Sequence, residues 1–377
     1  MTPARGPVRF AIIGPGKGAD LHARALAALP DAELVAVVGR DVGHARRFAA
    51  AHATRSFGSV EEARSSVGAE ALIVCTPHPH HATHALAGIG SGLHVLVEKP
   101  MALTTADVDR MIEAAKGRGV ILGAVAQRRW YPTARRVKDA LAAGKIGEPA
   151  LGEVEVLGWR DAAYYAMDPW RGTWKGEGGG VLVNQAIHQI DLLVWFLGPV
   201  AEVYARWDNF NHPGIAVEDS AVGLVRFASG ALGSIVASNS QRPGLHARVH
   251  VHGRSGASVG VQTDSGSTFV AGVTTHVEPA INDLWTVPGE EDLPARWHIE
   301  DARAGADPLV DYHRLQLADF AAAARSGGTP AVSGEDARLT VELLEALYRS
   351  QELAGPVRLR PGAQPRVARP SAMAHTS

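Results

Sequence analysis

Short apolar runs alternate with amphipathic stretches over the first third of the chain. The apolar runs are predicted strands at residues 8–13, 33–38, 71–75, 93–97 and 120–125. The stretches between them have helical spacing, and Thr104 and Thr105 are natural N-caps for a helix that ends near Lys116. Alternating strands and helices form a parallel sheet with crossover helices. The pattern therefore predicts an α/β fold whose N-terminal domain, residues 1–128, is doubly wound.

The spacing of apolar residues changes after Pro132. Strand-like alternation occurs at residues 152–159, 201–207, 221–227, 231–237 and 246–252, with a hairpin turn at Ala228-Ser229-Gly230. Helical spacing occurs at residues 133–143, 184–197, 312–324 and 335–353. The pattern predicts a second α/β domain over residues 129–360 with a largely antiparallel sheet. Residues 361–377 are rich in Pro, Ala and Arg, have no period and are expected to form a mobile tail.

Composition narrows the class of protein. A length of 377 residues fits two domains, and 46% apolar with 20% charged residues excludes a disordered chain. The net charge is -2 with dispersed basic residues, so neither nucleic acid nor an anionic membrane is an expected partner. Cys75 is the single cysteine, and no apolar run approaches the length of a membrane span. Small-molecule partners and a cytoplasmic location are expected.

A glycine-rich turn follows the first predicted strand directly. Gly14, Gly16 and Gly18, with Lys17 between the last two, stand where a helix begins. Glycines let the backbone approach a pyrophosphate, whose charge a helix N-terminus stabilises. Strand, turn and helix together predict a dinucleotide site.

The end of the second predicted strand bears on the choice of cofactor. An acidic residue at this place usually binds the ribose hydroxyls of NAD, but Gly39 and Arg40 occupy it here. A guanidinium can accept a 2'-phosphate, which slightly favours NADP over NAD. Asp41 is either a ribose ligand or the N-cap of the next helix.

Further motifs extend the picture beyond the glycine turn. Glu98, Lys99 and Pro100 follow the fourth predicted strand, and Thr76, Pro77 and His81 follow the third. The segment 178–191 reads GGGVLVNQAIHQID. With these motifs the chain resembles the Gfo/Idh/MocA oxidoreductase family over nearly its whole length.

The resemblance implies a Rossmann domain followed by an α/β domain with an open sheet that commonly packs against another subunit. A homodimer or homotetramer is therefore expected. Catalysis is expected in the cleft between the domains, with Thr76, Pro77, His81, Glu98 and Lys99 in the cofactor site. A cis peptide bond before Pro100 is a further hypothesis from the resemblance.

Lys99 resembles the characteristic lysine of the family, and His188 its catalytic histidine. Asn184 occupies the place where many inositol dehydrogenases carry aspartate. In a regular helix Asn184, His188, Asp191 and Trp195 fall within an arc of roughly 60°, which predicts one polar stripe with Asn184 and Asp191 as candidate catalytic partners.

Removal of hydride from an alcohol carbon requires a base for the hydroxyl proton, with a pKa near neutrality. An unperturbed histidine titrates near ~6.5, so His188 is the predicted base. Lys99 is predicted to polarise the oxygen and to relay the proton. The alternatives are a hydrogen-bonded interior role for His188 and a salt bridge with Glu98 for Lys99.

Candidate substrate residues combine aromatic and guanidinium groups, which suit the C–H faces and hydroxyls of a sugar. They are Arg160, Tyr164, Tyr165, Trp170, Arg171 and Trp174, with Arg129 and His313 placed near the ligand by the resemblance. Ordinary packing or a subunit contact is the alternative for each. His78, His80, His81 and His84 lack the usual zinc ligand set, so no metal is expected.

The expected function is transfer of hydride at a secondary alcohol or ketone carbon of a sugar or glycoside, with pyranose C3 as one candidate carbon. The alternatives are an inositol dehydrogenase, a keto-sugar reductase, an NAD-dependent enzyme that cleaves glycosides oxidatively, and a ligand-sensing regulator without catalysis.

Overall fold

The computed structural model describes residues 6–242, 244–263, 280–303 and 307–359. The predicted tail at residues 361–377 lies outside these ranges. The expected α/β class is confirmed, because the described strands form one parallel sheet and one largely antiparallel sheet.

The first sheet consists of six described strands in the order β3-β2-β1-β4-β5-β6, all parallel. Its strands are β1 Val8–Ile13, β2 Ala32–Val38, β3 Arg55–Phe57, β4 Ala71–Val74, β5 His94–Val97 and β6 Leu122–Ala124. The connecting helices are α1 Lys17–Ala27, α2 Val42–Ala51, α3 Val60–Val67, α4 His81–Gly90 and α5 Thr105–Arg118. The chain order reverses between β1 and β4, which is where ligands bind in doubly wound sheets.

Local sequence explains the helix ends in this domain. Thr104 caps α5 by accepting a hydrogen bond from the N–H of Asp107, and Gly119 ends it in a left-handed conformation with φ 64°. The four residues of β4 are fully buried, as expected for a central parallel strand covered by helices on both faces.

The second sheet has seven described strands in the order β12-β11-β7-β10-β9-β8-β13, antiparallel except for the β7–β10 pair. These strands are β7 Pro149–Leu157, β8 Val200–Asp208, β9 Ser220–Phe227, β10 Leu232–Ser238, β11 His246–Gly253, β12 Ser258–Thr263 and β13 Val357–Arg358. The helices that follow the first domain are α6 Pro132–Ala142, α7 Ala162–Ala166, α8 Trp174–Glu177, α9 Ile187–Leu197, α10 Leu293–Arg303, α11 Pro308–Ser326 and α12 Gly334–Glu352. The predicted hairpin turn joins β9 to β10, with Gly230 at φ 93°.

The last long helices return to the first domain. Leu317 and Phe320 of α11 are buried in the core that contains Phe10 and Ile12 of β1. Val341 of α12 belongs to the core on the other face of the parallel sheet. The chain therefore crosses between the two sheets once after β6 and again near its end, so a single division at residue 128 does not separate their cores.

The helix that bears the GGG motif differs from the expected regular helix. Its first turn, Leu182–Ala186, is π-helical, and the α-helix proper begins at Ile187. A π turn adds a residue, so Asn184 and His188 do not keep the spacing of a regular helix. The predicted common stripe is therefore interrupted between these two residues.

One described stretch is long and apolar enough to span a membrane, although no run of that length was expected. The stretch Trp174–Leu197 contains an apolar window that is 83% buried inside the fold. Such burial is typical of a core helix in a water-soluble protein, which passes the same test.

Candidate active site

The glycine turn leaves open space over an uncapped helix. Gly14 has φ 92°, and a Cβ there would lie 2.8 Å from the backbone of Cys75 and from the side chain of Thr76. Gly16 precedes α1 without a side-chain cap, and no heavy atom lies within 4 Å of the place a Cβ would take. Free N–H groups beneath open space suit an anion such as a pyrophosphate. The turn therefore fits a dinucleotide.

Two further predicted cofactor residues lie on the first turn of α1. Lys17 is exposed, and its Nζ lies 3.9 Å from the sulfur of Met167 in the second domain. The nearest atom to a Cβ at Gly18 would be Oε1 of Glu98 at 4.0 Å. The start of α1 thus adjoins both the end of β5 and the second domain.

The residues after β2 lie beside the same turn. A Cβ at Gly39 would lie 3.2 Å from Pro15, and Arg40 is exposed. Asp41 accepts a hydrogen bond from the N–H of His44 at 2.9 Å and caps α2. Of the two alternatives for Asp41, the structure shows the helix cap.

His81 joins two loops at the edge of the first sheet. Its ring nitrogens lie 2.7 Å from the carbonyl oxygens of Pro100 and Thr76. The Lys99–Pro100 peptide bond is cis, as hypothesised. His81 is buried, and burial lowers its pKa. Its polar atoms are engaged by the main chain, so it positions the loops that carry Lys99 and the exposed Pro77.

Lys99 and His188 belong to different domains, and their side chains line one cavity. Lys99 follows β5, and its Nζ donates to the carbonyl oxygen of Asn184 at 2.9 Å. Burial lowers the pKa of Lys99 to about 8, against the opposing charges of Glu98 and Glu177. His188 lies on α9, where burial and the nearby cations of Arg128 and Lys99 hold its pKa well below the usual value.

Glu98 is held by His22 and by the main-chain N–H of Lys99, which donates to its Oε2 at 3.0 Å. His22 of α1 lies 2.8 Å from Glu98 Oε1, and His313 of α11 stacks edge-on against His22 at 5.0 Å. Burial alone would raise the pKa of Glu98, but the hydrogen bond from His22 and the charges nearby hold it well below its usual range. Among the described residues these three bring possible metal-ligand atoms within 4.8 Å of one another. The His22–Glu98 hydrogen bond and the edge-on contact of His313 with His22 hold these groups together.

Asp191 and Arg129 bind each other. Two guanidinium nitrogens of Arg129 donate to the two carboxylate oxygens of Asp191 at 2.8 and 2.7 Å, and the hydroxyl of Thr340 donates at 3.1 Å. Arg129 is 4% and Asp191 8% exposed. Asp191 lines the cavity beside His188, but its oxygens are engaged. The two residues therefore bind each other beside the site, and the catalytic place expected for Asp191 and the substrate-binding place expected for Arg129 stay predictions.

Tyr164 organises the loop between β7 and α9. Its hydroxyl accepts hydrogen bonds from Arg171 at 2.6 Å, Asn184 at 2.9 Å and Gln185 at 3.1 Å. The guanidinium of Arg160 lies 5.0 Å above its ring. Burial raises the pKa of the Tyr164 phenol. Two predicted substrate residues, Tyr164 and Arg171, thus connect to the predicted catalytic residue Asn184.

Trp170 and Tyr165 extend this aromatic group in opposite directions. The ring of Trp170 lies 5.5 Å from that of His78 in the first domain, with the guanidinium of Arg171 4.5 Å from its centre. The ring of Tyr165 lies 5.2 Å from that of His212. Trp170 therefore contacts the first domain, while Tyr165 packs within the second domain.

Trp174 lies in a separate cluster. Its ring packs against Trp207 and Tyr348, each at 5.3 Å, and it is 39% exposed. Neither partner belongs to the group around Tyr164. Aromatic packing thus accounts for Trp174, which was expected among the substrate residues.

Three charged residues at the site were not predicted. Arg128 lines the cavity, Glu177 lies beneath Asn184, and Glu218 accepts hydrogen bonds from the N–H groups of Gly180 and Leu182 at the start of the π turn. Burial raises the pKa of Glu218 to about 7. Glu177 directly precedes the GGG run, which was the available signal. Glu218 is distant in sequence from the turn that it caps, so no sequence signal pointed to it.

Fold and site together define an oxidoreductase with a dinucleotide-binding domain. The model of the oxidoreductase family with an NAD-binding Rossmann fold matches residues 8–125, and that of the GFO/IDH/MocA C-terminal domain matches residues 134–259. The chain belongs to the GFO/IDH/MocA family, which confirms the resemblance seen in the sequence.

Two proteins are similar to this chain in sequence, and one solved structure is similar to it in fold. The chain is 30% identical to 1,5-anhydro-D-fructose reductase from Ensifer adhaerens, over 75% of this chain and 77% of the relative. It is 28% identical to myo-inositol 2-dehydrogenase from Thermotoga maritima, over 93% and 98% of the two chains. Its structure resembles the WlbA dehydrogenase of Bordetella pertussis, in complex with NADH and UDP-GlcNAcA, with a TM-score of 0.78 and 29% identity over 94% of this chain and 100% of that one.

Proposed function

We propose that this NAD(P)-dependent oxidoreductase acts at a secondary alcohol or ketone carbon of a sugar, glycoside or cyclitol. The observation that carries the proposal is the cavity that Lys99 and His188 line together, one residue from each domain. Glu98, the residue before Lys99, lies 4.0 Å from the place of a Cβ at Gly18 in the glycine turn. Relatives named for an anhydro-sugar, a cyclitol and a sugar nucleotide complex support a polyhydroxylated ring as the substrate.

The electrostatics of the cavity suggest how the proton is handled. The bound nicotinamide supplies the hydride chemistry. A proton acceptor works best when its pKa lies near the working pH, which favours Lys99 at about 8 over His188, whose pKa lies well below its usual value. We therefore assign the proton transfer to Lys99 Nζ and a neutral, orienting hydrogen bond to His188. These roles exchange those expected from the sequence.

The substrate class is tested by following nicotinamide absorbance over a panel of inositols, pyranosides, anhydro-sugars and nucleotide sugars, with NAD and NADP in turn. We expect turnover of at least one polyhydroxylated ring, and product analysis then identifies the carbon. Turnover with net glycoside cleavage and no net cofactor reduction would favour oxidative cleavage instead. Cofactor binding without turnover in either direction on the whole panel would contradict the proposal.

NADP is the cofactor that the site slightly favours. Arg40 is exposed and directly follows Gly39, which lies against Pro15 of the glycine turn, so its guanidinium is available to a 2'-phosphate. Arg40→Ala should weaken NADPH binding by about 10- to 160-fold, because a hydrogen bond between charged groups contributes about 1.5–3 kcal/mol. NADH binding should stay nearly constant.

Fluorescence titration of both cofactors checks this, with Arg118→Ala as an exposed control at the end of α5. Tighter binding of NADH than of NADPH by the unaltered protein would sink the preference. So would equal losses for both cofactors in Arg40→Ala.

We also propose a homodimer or homotetramer that forms through the outer face of the second sheet. Large apolar side chains are exposed on strands β8, β9 and β10, and contiguous apolar patches mark interaction surfaces. They are Tyr204, Val222, Leu224 and Leu232. Sedimentation that finds only monomers at micromolar concentration would contradict this.

We also propose a cytoplasmic location, which keeps Cys75 reduced and is tested by cell fractionation.

A further inference from the structure

The amide of Asn184 lies between an amine and a buried carboxylate. Lys99 Nζ lies 2.9 Å from the carbonyl oxygen of Asn184 and 3.4 Å from its Oδ1. On the other side, Nδ2 of Asn184 donates to Oε1 of Glu177 and to the hydroxyl of Tyr164. A lysine only donates and a carboxylate only accepts, so these partners fix which end of the amide faces which group.

We propose that Glu177 is a positioning residue that acts on Lys99 through Asn184, adding to the charge of Glu98 a second negative charge that holds the Lys99 ammonium in the cavity. The inference rests on the proposed role of Lys99 in proton transfer and adds a residue to that role. No direct contact between Glu177 and Lys99 is required, because the polarised amide transmits the hydrogen bond from one to the other.

The setting of Glu177 supports this role. The residue is 1% exposed, and its second carboxylate oxygen accepts from the N–H of Gly172 at 2.6 Å. A buried carboxylate is costly unless it is hydrogen-bonded and paired with a cation. Burial raises the pKa of Glu177, while the bonds from Gly172 and Asn184 and the charges of Arg171 and Lys99 oppose that rise.

The position of Glu177 also couples the two domains. It ends the short helix α8, and its carbonyl oxygen lies 2.8 Å from Nδ1 of His78 in the first domain. The carboxylate is therefore held on the same side of the cleft as Asn184, while its main chain is bonded across the cleft. A negative charge at this fixed place acts on Lys99 whether or not substrate is present.

The test moves the negative charge from residue 177 to residue 184. Glu177→Gln should move the titration midpoint of Lys99 to lower pH by about one unit, because an opposite charge that stabilised the ammonium is lost. Adding Asn184→Asp to that variant returns a carboxylate to the network and should restore the midpoint to the original value or above. A purely structural role for Glu177 in holding the Gly172 N–H would not be rescued in this way.

The readout does not need turnover. Competitive acetylation with trace acetic anhydride from pH 6 to 10, followed by peptide mass spectrometry, gives the midpoint of Lys99, with Lys145 in the same digest as an internal reference. Thermal melting verifies that each variant is folded. If Glu177→Gln is unstable, Asn184→Leu removes the amide between Glu177 and Lys99 and should give a smaller downward shift, because the charge of Glu177 and the main-chain carbonyl of residue 184 remain.

The outcomes separate this inference from the proposed function. An unchanged Lys99 midpoint in a folded Glu177→Gln or Asn184→Leu protein overturns the positioning role, as does a shift that the double variant fails to restore. A shift with rescue, in a protein that turns over no sugar or cyclitol, upholds the positioning role while the proposed function fails.

Discussion

Lys99→Met should lower the turnover number by a factor of about 10² to 10⁴, the usual contribution of a general acid or base. Methionine retains the length of the side chain but cannot accept or donate the proton. Cofactor affinity should change little, because the glycine turn and the start of α1 hold the dinucleotide. Steady-state turnover with the best substrate of the panel, at saturating cofactor, gives the comparison.

The pH dependence of the turnover rate should have opposite signs in the two reaction directions. Alcohol oxidation needs the neutral amine, so its rate should rise with pH through about 8, where Lys99 titrates. Ketone reduction needs the ammonium and should slow over the same range. The matched control is Lys116→Met, whose exposed amine pairs with Glu335 at 2.8 Å and should leave turnover unchanged. More than a tenth of the original turnover in Lys99→Met would remove Lys99 from the proton transfer.

Asp191→Asn should lower the free energy of unfolding by up to about 3–5 kcal/mol, because the buried guanidinium of Arg129 loses its bidentate partner and is left with the more distant carboxylate of Asp336, 3.9 Å away. Replacing both partners, as in Arg129→Met with Asp191→Leu, should recover most of the loss, since no buried charge then remains unpaired. Urea unfolding followed by circular dichroism measures both changes.

The control for this prediction is a surface pair. Glu202→Gln removes the partner of Arg358, whose side chain is 86% exposed, and should leave stability unchanged within error. If the double variant is as unstable as Asp191→Asn, packing rather than charge pairing explains the loss. Stability of Asp191→Asn equal to that of the unaltered protein would mean that water already compensates Arg129.

Short apolar runs predicted most strands of the parallel sheet, because parallel strands that are buried on both faces are continuous apolar segments. The three-residue strand β3, Arg55–Phe57, was missed, since it is too short to show a period. Strand β12, Ser258–Thr263, was also missed, because its mixture of Gly, Gln and Thr resembles a loop. Helix α10 gave only a weak apolar face.

Motifs located the glycine turn, Lys99 and His188, because each lies within a short segment at a strand end or helix start. Pairings across the fold were not predictable. Arg129 and Asp191 are 62 residues apart, so no sequence spacing reveals that they satisfy each other. His81 was expected at the cofactor, and only the coordinates show its two nitrogens facing carbonyl oxygens. A regular-helix projection could not foresee the π turn before Ile187.

The return of α11 to the first sheet bears on the order of biosynthesis. A ribosome synthesises β1 hundreds of residues before it reaches Leu317 and Phe320, which cover Phe10 and Ile12. The nascent nucleotide-binding half therefore emerges with one apolar side uncovered, and it cannot complete its interior until α11 has been synthesised. Chaperone contact during that interval, rather than stepwise folding of independent halves, is the natural consequence of this chain path.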